Sequence, residues 1–283
     1  MRWENGQRSE NVEDRRGMSA SRGVIGGGIG TLLVVLVALY FGIDPSTVLQ
    51  TVPETGPPPM TRQQQQVDGQ DPMLDFVSVV LADTEKTWHG LLPQHGGTYV
   101  EPKLVLFTGA VESACGFAQA AMGPFYCPGD HRVYLDLSFF EDMKSRFQAG
   151  GDFAQAYVIA HEVGHHVQNQ LGILEQVQSA MQRSSKTEAN RLSVRMELQA
   201  DCFAGVWGYH ADKSRRLLES GDLEEALGAA SAIGDDRIMR QTQGTVVPDA
   251  FTHGSSKQRV SWFRRGFESG DMNQCNTFEK SSF

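Results

Sequence analysis

The stretch GGDFAQAYVIAHEVGHHVQNQLG, residues 150–172, decides the fold. His161, Glu162 and His165 within it spell H-E-x-x-H, a pattern in which two histidines and a glutamate assemble a zinc-activated water. Residues four apart share one helix face, with Cβ atoms about 5–6 Å apart. Two imidazole nitrogens can therefore close on one ion at about 2.0–2.1 Å each. Glu162, offset by about 100° around the helix, falls beside the open coordination position and not on the metal. The flanks argue for that helix. Gly150-Gly151 breaks the chain, and Asp152 with Gln155 makes a capping-box pattern. Phe153 and Ala156 to Ala160 form an apolar run suited to a buried helix. Gly172 after Leu171 ends it. The expected helix runs from about Asp152 to about Leu171.

A third ligand sets the kind of site. The H-x-x-G-x-x-H continuation of a metzincin fails, because Gln168 and Leu171 stand where it needs glycine and histidine. Glu197, in the Arg195–Asp201 segment of a helix expected through Trp207, can complete a His2Glu set that leaves one position for water. Asp201, one turn further on, is placed to accept the free ring N–H of a liganding histidine. The competing readings are a solvated helix carboxylate for Glu197 and a local ion pair for Asp201. His166 is rotated away from the ligand face, which suits packing or surface and not a fourth ligand.

With both motifs in place, the chain resembles the bacterial membrane-anchored family of putative neutral zinc metallopeptidases. The resemblance rests on His161 to Gln168 and on Glu197 to Trp207. It extends to Cys115-Gly116, Gly123 to Pro128, Val133 to Asp136 and the opening Met1 to Glu4. It implies a zincin-like fold with a small sheet, active-site helices and a gluzincin-like site, and it names no substrate. The α+β class itself is read from the element order, strands first and then several helices. Thr252-His253-Gly254 with Arg259 also looks like the Thr-His-Pro…Arg element of membrane-associated gluzincins, although Gly254 replaces the proline. That likeness implies a catalytic role for His253, supporting the oxyanion; a surface histidine and an ordinary salt bridge are the competing readings.

The chemistry expected of these parts is peptide hydrolysis. Zn2+ is held by His161, His165 and Glu197, and Glu162 is the general base that takes a proton from water and returns it to the leaving amine. Two rivals are an inactive zincin-fold protein that binds metal or envelope proteins, and a metal-free envelope scaffold. Intact Glu162 speaks against the first.

Gly23–Ile43 is uncharged and 21 residues long, enough for a helical membrane anchor. Arg2, Arg8, Arg15, Arg16 and Arg22 precede it, and no Lys or Arg follows through Thr61. Counting basic residues predicts residues 1–22 as a cytoplasmic tail and the catalytic part as periplasmic or otherwise extracytoplasmic. Residues 44–72, rich in Pro and Gln, read as a linker, and 73–283 as one peptidase domain. Cys115, Cys127, Cys202 and Cys275 all lie in the exported part, where an even count suggests two disulfides. Three pairings are open, with free buried thiols as the competing reading; Cys115–Cys127 with Cys202–Cys275 is expected, because the first pair flanks an expected strand pair.

Lys103–Phe107 and Val133–Leu137 read as strands. The second is the candidate edge for pairing with an extended peptide, against the alternative of an interior strand. Ser138 with Glu141 predicts a helix to about Gln148, and Asp222 with Glu225 another through about Arg240. A formal charge of −9 argues against a nucleic-acid partner. The partners expected are a peptide or protein of the cell envelope and the membrane itself.

Overall fold

The structure, a computed structural model, describes residues 1–17 and 71–279. Its strands are β1 (Val12–Asp14), β2 (Lys103–Phe107), β3 (Ala110–Ser113), β4 (Gly116–Gln119), β5 (Phe125–Cys127) and β6 (Arg132–Asp136). Its helices are α1 (Pro72–Leu91), α2 (Ser138–Ser145), α3 (Asp152–Gln170), α4 (Ile173–Met181), α5 (Lys186–Arg215), α6 (Asp222–Ala232), α7 (Asp235–Gln243) and α8 (Ser256–Ser269). Apart from α1, which lies between β1 and β2, the strands precede the run of helices, so the fold is α+β. The sheet order is β1-β2-β6-β5; β1, β2 and β6 are parallel and β5 is antiparallel. β3 and β4 form a separate hairpin.

Two sequence expectations change here. β6 is paired on both sides, by β2 and β5, so Val133–Leu137 is interior and the edge beside the helices is β5. Residues 1–16 are not a separate tail. Val12–Asp14 pairs in register with Leu104–Leu106. Trp3 packs edge-on against Phe76 of α1, and Arg16 bridges to Asp71 at 2.7 Å. This stretch belongs to the same compact unit as residues 71–279. Among the described residues no helix is long and apolar enough to cross a membrane. The expected anchor, 23–43, lies outside them, as does almost all of the expected linker.

Helix α3 runs through the core, with Phe153, Tyr157, Val163 and Val167 fully buried. Its start differs from the capping box expected. Gly151 is the N-cap, Asp152 is already helical, and the Phe153 N–H donates to Glu225 of α6 at 3.1 Å. Asp152 instead meets the Met1 ammonium at 2.7 Å. Two close approaches set the helices around α3. A Cβ on Gly164 would lie 3.0 Å from the Ala200 carbonyl oxygen, so the residue inside the histidine motif lets α5 press against α3. Gly205 of α5 faces α8, where a Cβ would stand 2.1 Å from the Phe263 oxygen; Gly266 of α8 meets Cys202 as tightly. Only glycine permits such a crossing. The Cys202–Cys275 disulfide ties the same region, and Cys115–Cys127 ties the β3–β4 hairpin to β5.

The helix expected from Asp222 through Arg240 is two helices, broken at Ile233-Gly234. At the break the carboxylates of Asp235 and Asp236 collect backbone N–H groups of Thr252, His253, Gly254 and Ser256, which stitches α7 to the segment before α8.

Candidate metal centre and cleft

α3 supplies His161, Glu162 and His165, and α5 supplies Glu197 and Asp201 across the Gly164 contact. His161 Nε2 is 3.2 Å from Glu197 Oε2, and His165 Nε2 is 3.5 Å from Glu197 Oε1. Four tetrahedral donors about 2.0–2.1 Å from one zinc ion stand about 3.3 Å from each other, so this donor set fits that ion.

The far side of each ring is held. His161 Nδ1 lies 2.9 Å from Asp201 Oδ1, which also accepts from the Tyr157 hydroxyl at 2.5 Å. Arg259 of α8 is 2% exposed and donates to both Asp201 oxygens, at 2.8 and 2.9 Å. His165 Nδ1 faces Gln168 Oε1 at 2.8 Å, and the Gln168 amide donates to Met196 O and Gln199. Each imidazole thus presents Nε2 to Glu197 when Nδ1 carries the proton.

Charge follows the same pattern. Burial would raise the Asp201 carboxyl, but Arg259 and His161 outweigh it and hold it down to about 2. Burial would lower His161, but Asp201 and Glu197 outweigh it and push it up to about 10. A cation arriving at Nε2 therefore displaces a proton, which makes binding pH-dependent. Glu197 lies well below the usual carboxylate range because the two histidines outweigh its burial. Glu162 is 8% exposed, lines the cleft, and has no hydrogen bond or ion pair among the described residues.

The cleft over these groups has a volume of about 600 Å³. Residues 120–126 and Pro128 contribute one wall, and His253 with Ile233 and Ile238 contribute another part of the lining. His253 is exposed at the cleft and leans on Asp235, Nδ1 to Oδ1 at 3.2 Å. Arg259 is spent on Asp201, whereas His253 is paired with Asp235. His166 is buried between the Tyr126 hydroxyl at 3.0 Å and the Val100 carbonyl at 2.7 Å, and burial lowers it to about 4. A second acidic grouping, Asp152, Asp222 and Glu225, receives the Met1 ammonium.

Sequence reasoning missed Tyr157, the bond from Gln168 to His165, and Asp235. The first two had a signal, because Tyr157 precedes His161 by four residues and Gln168 follows His165 by three. Asp235 had none, since it meets His253 only through the α6–α7 break.

The profile of one family, described as "Putative neutral zinc metallopeptidase", matches residues 1–278. The chain belongs to that family. It is similar to the uncharacterized protein YpfJ of Escherichia coli (strain K12), 54% identical over 294 aligned positions that cover 99% of this chain and 100% of that protein. It is also 44% identical over 204 positions to the uncharacterized protein Rv2575 of Mycobacterium tuberculosis (strain ATCC 25618 / H37Rv), covering 69% of this chain and 67% of that one. No solved structure matches it.

Proposed function

We propose that this metallopeptidase family member is an active zinc-dependent peptide hydrolase. The observation that carries the reading is the convergence of His161, His165 and Glu197 beside a Glu162 carboxylate that has no hydrogen bond or ion pair among the described residues. Bound there, zinc supplies Lewis-acid polarisation of a carbonyl and brings the pKa of water towards neutrality. Glu162 accepts the proton of the attacking water and hands it to the leaving amine. Asp201 fixes the His161 ring, and Gln168 the His165 ring, so both keep one tautomer while the proton moves. His253, backed by Asp235, donates to the oxygen on which negative charge develops. Metal analysis and peptide cleavage test this together: Glu162→Gln keeps one zinc per chain and loses cleavage. Purified protein without zinc, or equal cleavage by both forms, ends the reading.

The proposal includes membrane attachment through 23–43 and a catalytic domain on the outer face. The apolar stretch, the arginine asymmetry and two disulfides in an oxidising compartment support it. The pairing of β1 with β2 adds a condition: residues 1–16 share the side of the catalytic helices, whereas a cytoplasmic N-terminus with one crossing needs β1 detached. Labelling of single cysteines placed at Asn5 and at Lys257 by an impermeant thiol reagent in intact cells tests it. Equal labelling supports the shared side, and labelling at Lys257 alone restores the single crossing.

A further inference from the structure

The cleft carries apolar surface besides its metal-ligand candidates. Phe139 of α2, Phe147 of the turn after it, Val158 of α3, Ile233 at the α6–α7 break and Ile238 of α7 all line it. Val158 lies three residues before His161 and four before Glu162, so it shares their helix face one turn away, about 5.4 Å along the axis. The patch therefore sits next to the reacting centre. Arg237 of α7 reaches the Phe147 carbonyl at 3.5 Å, which links the two sides of the patch.

Its rim carries two charged groups, Asp142 and Arg146, and they are paired with each other at 3.2 Å. The Arg146 guanidinium also lies over the Phe147 ring, 5.7 Å from its centre. Neither is an unspent charge waiting for a ligand. A carboxylate or ammonium entering the patch would lose water, and the charged groups beside it, Asp142, Arg146 and Arg237, already make contacts of their own. A large apolar side chain would remove several half-buried hydrophobic groups from water at once.

We propose that this patch is the side-chain subsite of the peptidase and that it selects a leucine- or phenylalanine-sized residue beside the scissile bond. The inference rests on the peptide-hydrolase reading above. Phe147 and Ile238, which line it from different elements, are its specificity determinants. Glycine and alanine leave the patch wet, and charged residues are rejected.

Two measurements on one peptide series test it. Zinc-loaded Glu162→Gln protein is titrated with blocked hexapeptides that differ at one central position, Leu, Phe, Ala, Asp or Lys. Wild type is given the same peptides, and cut sites are read by mass spectrometry. The expected result is binding at least about tenfold tighter for Leu and Phe than for Ala, with Asp and Lys weakest and cuts adjacent to Leu or Phe. Ile238→Asp brings the Leu-to-Ala ratio close to one while zinc content stays at wild-type level. Phe147→Ser, at a separate point of the lining, does the same if Ile238→Asp fails to fold. Equal affinities across the series, or a preference for a charged residue, overturns the subsite. Selective binding without any cuts keeps the subsite and sinks the hydrolase, whereas unselective cutting keeps the hydrolase and sinks the subsite.

Discussion

The two sides of the cleft are built in opposite ways. Beneath it, α3, α5 and α8 lock together through glycine contacts, a disulfide and a buried set of polar groups, with Asp201 fully buried and Arg259 at 2% exposure. Above it, residues 110–128 are a two-stranded hairpin and a short edge strand, with Phe117 54% and Met122 72% exposed. The proposed metal ligands sit where packing is tight, and the proposed substrate wall sits where the chain is exposed. Rate and selectivity should therefore break separately.

The sharpest break is on the lower side. Glu162→Gln is expected to cost about 10²–10⁴-fold in turnover with zinc content unchanged, measured by initial rates and metal analysis. No change on the upper side should lower turnover that far without altering which peptides are cut.

Next is Arg259→Met. It removes the cation from a fully buried carboxylate, which costs about 3–5 kcal/mol. Zinc affinity should fall as well, about 10–100-fold, because Asp201 then no longer holds the His161 ring squarely. Adding Asp201→Asn should recover part of the stability, because the stranded charge is then gone. Denaturant unfolding of the single and double variants decides it, and additive losses would mean that the pair is not coupled.

The disulfides extend the contrast. Cys202–Cys275 closes 73 residues and Cys115–Cys127 closes 12. Loop entropy alone puts the first at about 4.5 kcal/mol and the second at about 3. Paired Cys→Ala variants should show the larger drop in stability for the first. The second should change peptide preference more than zinc content, since it steadies the wall at residues 120–126.

How legible each side was follows from the same contrast. His161, Glu162 and His165 on α3, and Glu197 with Asp201 on α5, could each be grouped from spacing because one helix turn is a fixed ruler. The meeting of the two helices is expected only by likeness to gluzincin sites. The α+β class followed from the order of strands and helices. What escaped depends on pairings between distant segments. Nothing local in Val12–Asp14 announces a strand that pairs with Leu104–Leu106. β6 read as an edge because β5 is three residues long and gives almost no periodic signal. The break at Ile233-Gly234 was hidden in a stretch rich in helix formers, and Asp235 and Asp236 act there through a loop some 17–20 residues away. Asp152 looked like a cap, but tertiary partners took it for the Met1 ammonium.

The smallest expected effect lies where the two sides meet, at His253 and Asp235. The hydrogen bond to Asp235 raises His253 above its usual 6.5 and outweighs partial burial. Burial would raise Asp235, but His253 and the loop N–H groups outweigh it and hold it below 3.8. The imidazolium's contribution is therefore complete below pH 6.5 and is lost as pH rises through its raised value. The carboxylate's contribution is present above 3.8 and is lost as pH falls through its lowered value. Since the His253 ring is 53% exposed, the pair stabilises the fold by at most about 0.5–1 kcal/mol. Its larger mark should be on the rate. Asp235→Asn lets the His253 pKa fall back towards 6.5, so the alkaline limb of turnover should move to lower pH while zinc content stays constant. A rate profile that overlays wild type would remove His253 from the reaction and leave the chemistry entirely to the buried helices.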